Sequence, residues 1–298
     1  MKACVAMLAM ALFLMCGTAA QAGVDAKSYA GWLPRHVYQF AGSFEVDGSQ
    51  GIATDGEFYY VSGCGSLAKY DRTGRLVLKN DRPFTGYTVP ANQIGDIDVH
   101  GGELYVSAQQ FEDGAAQNIQ IAVYDASTLK FKRTFRFKPA SGQEEVSGIT
   151  VDHERGSMWM CSWESEESGR YLYEYSLKNG RYLRKVRVFP VPQWVQGVFA
   201  SKGSLYLTAD ECVDDEEQFD HLYRVDITKK SYAAVVLEHS FGREALEGEI
   251  EGLCMDVKAG EMLVLFKRSP RGIQGASESF RAGEERAFVC QYRMSPLR

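Results

Sequence analysis

Five segments of the chain share one order of apolar and polar positions. Each begins with a polar residue and a glycine, continues as a short apolar strand, turns at Gly or Asp, and returns as a strand rich in Tyr, Leu and Val. The segments begin at Gln50-Gly51, Gly95-Asp96, Ser147-Gly148, Gln196-Gly197 and Glu251-Gly252. A repeat of about 50 residues made only of strands is typical of β-propeller blades.

Two further strands follow in most of the segments, for example over residues 67–71 and 76–79 in the first. The fifth segment lacks one strand, whereas an extra strand over residues 36–40 precedes the first segment. The pattern therefore predicts an all-β, five-bladed β-propeller with four-stranded blades. We expect the N-terminal strand to join the last blade and close the ring, which protects the open sheet edge.

Residues 1–22 have the pattern of a signal peptide, and residues 23–298 are left as a single domain. Lys2 precedes an apolar run over residues 5–15, which is shorter than the roughly 20 residues of a membrane-spanning helix. The small residues of Ala20-Gln21-Ala22 predict cleavage after Ala22. We expect a secreted or periplasmic protein without a transmembrane segment; a lipoprotein acylated at Cys16 is the alternative.

Alignment of the five segments predicts two rings of side chains around the mouth of the central channel. The innermost strand of each blade begins at the end of the molecule where the second strand finishes. The first ring contains Gln50, Asp96, Ser147, Gln196 and Glu251, and the second contains Cys64, Gln109, Glu164, Asp210 and Lys267. We expect the ligand-binding residues to be Gln50, Ser147, Gln196, Trp163, Glu164, Gln109 and Lys267.

The net charge and the number of cysteines limit the classes of binding partner and of cysteine chemistry. The net charge of -6 argues against nucleic acid. We expect a small molecule or a protein partner at the channel mouth, and a monomer. Outside the signal peptide there are five cysteines, an odd number, without the spacing of a zinc site. A bridge between Cys64 and Cys212 would require the loop that carries Cys212 to cross the mouth.

Carboxylates dominate the candidate chemistry because none of the five histidines is predicted at the mouth. Glu251 and Asp96, with the hydroxyl of Ser147, could bind calcium, which prefers oxygen ligands. The same Asp96 and Glu251 could act as the acid and base of a glycosidase. Trp163, Trp194 and Phe111 could stack on sugar rings, although aromatic residues at blade edges more often pack between blades.

The residues 146–152 and 250–256 resemble strand openings of bacterial propellers of the SdiA-regulated family and, more loosely, of the NHL and SMP-30-like superfamily. That resemblance implies an exported or envelope-associated propeller, often with a calcium-type site and no assigned reaction. The repeat is also similar to the five-bladed calcium-activated nucleotidases, in which Ser and Glu side chains of the inner strands hold a central calcium. Ser147 and Glu251 match that pattern, whereas Gln50, Gly95 and Gln196 depart from it.

These patterns together predict an exported propeller that binds a small ligand, a metal ion or a partner at its channel mouth without catalysis. The alternative is a calcium-dependent hydrolase of the nucleotidase or glycosidase type that uses the mouth carboxylates. Its catalytic candidates are Asp96 and Glu251.

Overall fold

A computed structural model describes residues 33–136, 139–163, 167–211, 219–228, 231–242, 248–268 and 286–297. The described residues form twenty β-strands and two short 3-10 turns, at Pro139–Ser141 and Ser168–Arg170. The all-β prediction is confirmed. The predicted signal peptide, Glu164 and Cys212 lie outside the described residues, as do residues 213–218 and 269–285. No helix in the described part of the chain is long and apolar enough to cross a membrane.

Three of the sheets have four strands each. The first contains β2 (Gly51–Thr54), β3 (Phe58–Gly63), β4 (Ser66–Asp71) and β5 (Leu76–Asn80), and the second contains β6 (Gln93–His100), β7 (Glu103–Glu112), β8 (Ala115–Asp125) and β9 (Phe131–Arg136). The third combines β18 (Glu249–Asp256), β19 (Glu261–Arg268) and β20 (Arg286–Pro296) with β1 (His36–Val46). β1 pairs with β20 along its whole length, as the sequence predicted.

The remaining strands form one sheet of eight, where the sequence predicted two separate sheets of four. One half contains β10 (Ile149–Asp152), β11 (Ser157–Met160), β12 (Tyr171–Ser176) and β13 (Tyr182–Phe189), and the other contains β14 (Val195–Ser201), β15 (Ser204–Ala209), β16 (His221–Asp226) and β17 (Tyr232–Ser240). Each half is an antiparallel group of four. The outermost strands β13 and β17 pair in parallel, which satisfies edge groups that each strand would otherwise leave unpaired.

The first strands of the five groups contact one another in a closed cycle, from β2 through β6, β10, β14 and β18 back to β2. A hydrogen bond joins each group to the next, and the bonds are Ser62 Oγ to Gly95 O, Asp96 N to Ser147 O, Ser147 Oγ to Val195 O, Thr208 Oγ1 to Glu251 O, and Gly252 N to Gln50 O. Hydrophobic clusters between neighbouring groups supply the core, for example Tyr60 and Leu67 against Ile97 and Leu104.

The turn between the third and fourth strands is fixed by an aspartate in three of the groups. Asp125 accepts hydrogen bonds from both the N–H and the hydroxyl of Ser127, at 3.0 and 2.6 Å. Asp71 with Thr73, and Asp226 with Thr228, repeat this arrangement. The short aspartate side chain replaces a backbone acceptor, so the spacing Asp-x-Ser/Thr specifies the turn locally.

Candidate functional site

The openings of the inner strands and the ends of the second strands meet at one end of the molecule. Register places Gln93 opposite Gln109, Val195 opposite Ala209, and Glu249 opposite Lys267. We call this end the mouth. Its polar centre, the mouth cluster, contains Gln50, Gln196, Asp210, Asp220, Glu249 and Glu251.

Glu251 is a deeply buried carboxyl of the mouth cluster that has few hydrogen-bond partners. It is 2% exposed, and among the described residues its carboxyl accepts one hydrogen bond, from Gln50 Nε2 at 3.4 Å. Burial raises the pKa of Glu251 well above its ordinary value; the charge of Glu249 adds to this and that of Lys267 opposes it. A buried carboxyl with one long hydrogen bond retains unused capacity to bind a ligand.

Asp210 and Asp220 form a hydrogen-bonded carboxyl pair beside Glu251. Burial, followed by the charges of Asp220 and Glu249, raises the pKa of Asp210 to about 8. Two carboxyls hydrogen bonded to each other must share a proton, because both ionised groups would repel. Gln196 Nε2 donates to Glu249 Oε1 at 2.9 Å, so that amides and carboxyls alternate across the mouth cluster.

Asp220 and His221 lie at this end although the repeat alignment did not place them there. His221 Nδ1 is 2.7 Å from Glu211 Oε2, and Tyr223 donates to the same oxygen at 2.6 Å. The expectation of no histidine at the mouth is therefore wrong for His221. The repeat pattern could have placed His221 there, because it begins the third strand of its group and pairs with Ala209 at the end of the second strand.

Asp96 points into the centre of the molecule and is 0% exposed. Its carboxyl accepts main-chain N–H groups of Ile97 at 2.9 Å, Val198 at 3.2 Å, and Ile52. Burial nevertheless raises the pKa of Asp96 above its ordinary value. Among the described residues, no hydrogen bond joins Asp96 to Glu251. The acid and base pair of Asp96 and Glu251 stays a prediction, and this geometry gives it no support.

Two glycines make room for the Asp96 carboxyl. A Cβ at Gly252 would lie 2.3 Å from Asp96 Oδ1, and a Cβ at Gly51 would lie 2.6 Å from the same oxygen. Any side chain at either position would collide with the carboxyl. The glycine in the repeated opening therefore has a packing reason in at least these two groups.

Ser147 and Gln109 are buried and occupied by hydrogen bonds. The Ser147 hydroxyl donates to Val195 O at 2.7 Å. Gln109 Nε2 donates to Gln93 and to Glu145, and its oxygen accepts the N–H of Val146. Both residues hold the wall of the mouth in place. Their roles as ligand-binding residues remain predictions.

The described residues do not fit a calcium site. They contain no group of three or more His, Cys, Asp or Glu side chains that could hold a metal ion. The oxygens of Asp96 accept main-chain N–H groups, whereas a calcium site would need those oxygens to face the cation. Calcium binding by Glu251, Asp96 and Ser147 is thus a prediction that the residues present do not favour.

Comparison with known proteins shows the fold and leaves the family open. No model of a protein family and no curated protein matches the chain. Among solved structures, the chain is similar to a hydrazine synthase from Kuenenia stuttgartiensis, with a TM-score of 0.44, 12% identity, and coverage of 85% of this chain and 67% of that one. It is also similar to a gluconolactonase from Xanthomonas campestris, with a TM-score of 0.46, 8% identity, and coverage of 78% and 68%.

The similarity that supports the fold is to a GH43 β-1,3-galactosidase with galactodeoxynojirimycin. The TM-score is 0.56, the identity is 10%, and the alignment covers 85% of this chain and 91% of that one. This likeness extends over nearly the whole of both chains but concerns the fold alone. The chain therefore has a β-propeller-type fold.

Proposed function

We propose that this protein is a five-bladed propeller whose mouth cluster binds a small polar ligand without turning it over. The observation that carries the proposal is Glu251, a buried carboxyl whose one hydrogen bond among the described residues is 3.4 Å long. A buried carboxyl has room for more hydrogen bonds than this one. A ligand that reaches the mouth would add a hydrogen-bond partner to Glu251.

Five blades are supported by the five antiparallel groups of four strands and by the cycle of inner-strand contacts. The parallel pairing of β13 with β17 joins two of these groups at the outside and leaves each antiparallel within itself. Export and a monomeric state are part of the same proposal, and export depends on the pattern of residues 1–22.

The chemistry of the mouth cluster favours a ligand with hydroxyl or amide groups. The amides of Gln50 and Gln196 and the shared proton of Asp210 and Asp220 provide donors as well as acceptors. A small polar ligand needs both. Lys267, the one cation of the predicted rings, pairs in register with Glu249 and offsets part of the acidic charge.

The substitution Glu251→Gln tests the proposal. A thermal-shift screen of sugars, amino acids, nucleotides and Ca²⁺, each with and without chelator, identifies the ligand, and calorimetry then measures affinity. Replacement of the carboxyl by an amide removes one acceptor oxygen and should weaken binding about tenfold or more. The matched control is Glu261→Gln. Glu261 lies at the opposite end of β19 and forms an ion pair with Arg72, so this variant should bind the ligand as the native protein does. Equal affinity of Glu251→Gln and the native protein would contradict the proposal.

A hydrolase is the second candidate, and the pair of Asp210 and Asp220 favours it. A carboxyl whose pKa is raised to about 8, hydrogen bonded to a second carboxyl, is a common arrangement for an acid and a base. A calcium-dependent reaction of the nucleotidase or glycosidase type would have to use these residues and Glu251, because Asp96 is engaged with main-chain amides. Turnover of a nucleotide or glycoside that is abolished in Asp210→Asn would replace the non-catalytic proposal.

A further inference from the structure

Two tryptophans lie side by side at the mouth, next to the mouth cluster. Trp163 is 39% exposed and Trp194 is partly buried, with ring centroids 6.5 Å apart and planes at 33°. They come from neighbouring groups of strands. A large exposed aromatic surface is unfavourable in water, and here two such rings are combined at the end of the molecule where the polar side chains converge.

Both tryptophans are fixed through their main chains. The N–H of Trp163 donates to Glu145 Oε2 at 2.6 Å, and Glu145 is itself buried. The carbonyl of Trp194 accepts the N–H of Asp210 at 3.1 Å. Trp194 has a φ of 47°, in the left-handed region that a bulky residue adopts only when its surroundings hold it there. The main chain beneath both rings is therefore held in place, and that of Trp194 is bonded directly to Asp210 of the carboxyl pair.

We propose that the ligand of the mouth is a neutral carbohydrate whose ring stacks on Trp163 and Trp194 while its hydroxyls bond to the mouth cluster. This inference rests on the proposed function. A pyranose ring has an apolar C–H face and a rim of hydroxyls, and the mouth offers an aromatic face beside donors and acceptors.

Other ligands fit less well. The negative charge of Glu249 and its neighbours repels phosphate, which disfavours nucleotides although their bases could stack. An organic cation would be attracted by Glu249, but an ammonium group can only donate, and the pair of Asp210 and Asp220 already holds a donor in its shared proton. A neutral sugar hydroxyl can both donate and accept.

The experiment is calorimetric titration of the full chain with glucose, galactose, N-acetylglucosamine and their β-linked trisaccharides, with spermidine and AMP as the cationic and phosphorylated probes. We expect at least one sugar to bind and the other two probes not to. Trp163→Ala and Trp194→Ala should each weaken sugar binding about tenfold, and Trp163→Phe should restore part of it. The matched control is Phe189→Ala, an exposed aromatic residue on the outer strand β13, which should leave the affinity unchanged.

The outcomes separate this inference from the proposed function. If spermidine or AMP binds, no sugar binds, and Glu251→Gln abolishes that binding, then the carbohydrate proposal is wrong and the proposed polar-ligand site is supported. Sugar binding that is unaffected in both tryptophan variants overturns the stacking. If a variant unfolds, quenching of native tryptophan fluorescence by iodide replaces it: bound sugar must protect the exposed indole, and unchanged quenching contradicts the inference.

Discussion

At the scale of single residues, the same functional group has different chemistry according to what surrounds it. Asp96 is enclosed by main-chain N–H groups and links the inner strands of the groups. Asp210 faces another carboxyl and holds a proton near neutral pH. Asp71 is partly exposed, and hydrogen bonds from Thr73 and Arg75 hold its pKa below the usual range. Only the second is placed to exchange a proton with a ligand under ordinary conditions.

The raised pKa of Asp210 predicts a decrease of stability with rising pH. The folded protein keeps a proton up to a pH of about 8, which the unfolded chain releases near its ordinary value. This contribution is complete below the unfolded pKa and is lost as the pH rises through about 8. We expect the melting temperature to fall as the pH rises from about 5 to about 8, and to fall less in Asp210→Asn.

The control for the pH profile is Asp71→Asn. Because its pKa is lowered, Asp71 is ionised in both states throughout this range, and the slope should equal that of the native protein. An Asp210→Asn profile parallel to the native one would show that Asp210 does not hold the proton. Scanning calorimetry in matched buffers makes the measurement.

At the scale of elements, the hairpin of β7 and β8 extends past the other strands at the mouth. Asp113 and Gly114 have φ values of 52° and 78°, the type I′ turn that Asp-Gly favours between two strands. The side chain of Asn92 bonds to both the N–H and the carbonyl of Phe111, at 2.8 and 2.9 Å. One amide side chain therefore anchors the extended part of the hairpin to the inner strand beside it.

Replacement of Asn92 by alanine should loosen this extension. We expect faster amide hydrogen exchange over residues 110–117, with little change elsewhere, because local opening costs less once both bonds are gone. Asn179→Ala is the matched control, since Asn179 accepts from Arg181 in an exposed turn away from the hairpin. Unaltered exchange over residues 110–117 would mean that the strands hold the hairpin by themselves.

At the scale of the whole molecule, Glu238 on β17 ties β1 to the neighbouring group. Its carboxyl is 0% exposed, accepts the N–H groups of Arg35 and His36 at 2.8 and 3.2 Å, and pairs with buried Arg224 at 3.1 Å. Tyr38 donates to the same carboxyl at 3.3 Å. The N-terminal strand is thus held by β20 on one side and by this buried acceptor on the other.

Glu238→Ala should be strongly destabilising. Removal of the acceptor leaves the guanidinium of Arg224 facing an apolar side chain, and we expect a loss of about 3 to 5 kcal/mol in the free energy of unfolding. Glu45, also on β1, forms an exposed ion pair with Arg286 of β20, and the loss in Glu45→Ala should be below about 1 kcal/mol. Urea unfolding compares the two, and equal midpoints would show that Glu238 does not hold β1.

Much of the architecture could be read from the repeat, because each blade carries its own apolar alternation and its own turn residues. The same alignment located Gln50, Gln196, Asp210, Glu251 and Lys267 at one end, where the structure has them in register or in electrostatic contact. It missed Asp220 and His221, which return to the mouth after a loop of irregular length, and Glu145, whose partners come from separate strands.

The amino-acid sequence by itself determined the strands, their order and the end at which polar residues collect, since these depend on local periodicity and turn chemistry. Tertiary structure alone decided that Asp96 is enclosed, that Asp210 shares a proton with Asp220, and that β13 pairs with β17. The reason is physical. Burial and charge–charge distance are set by residues far apart in the chain, and no local pattern records them.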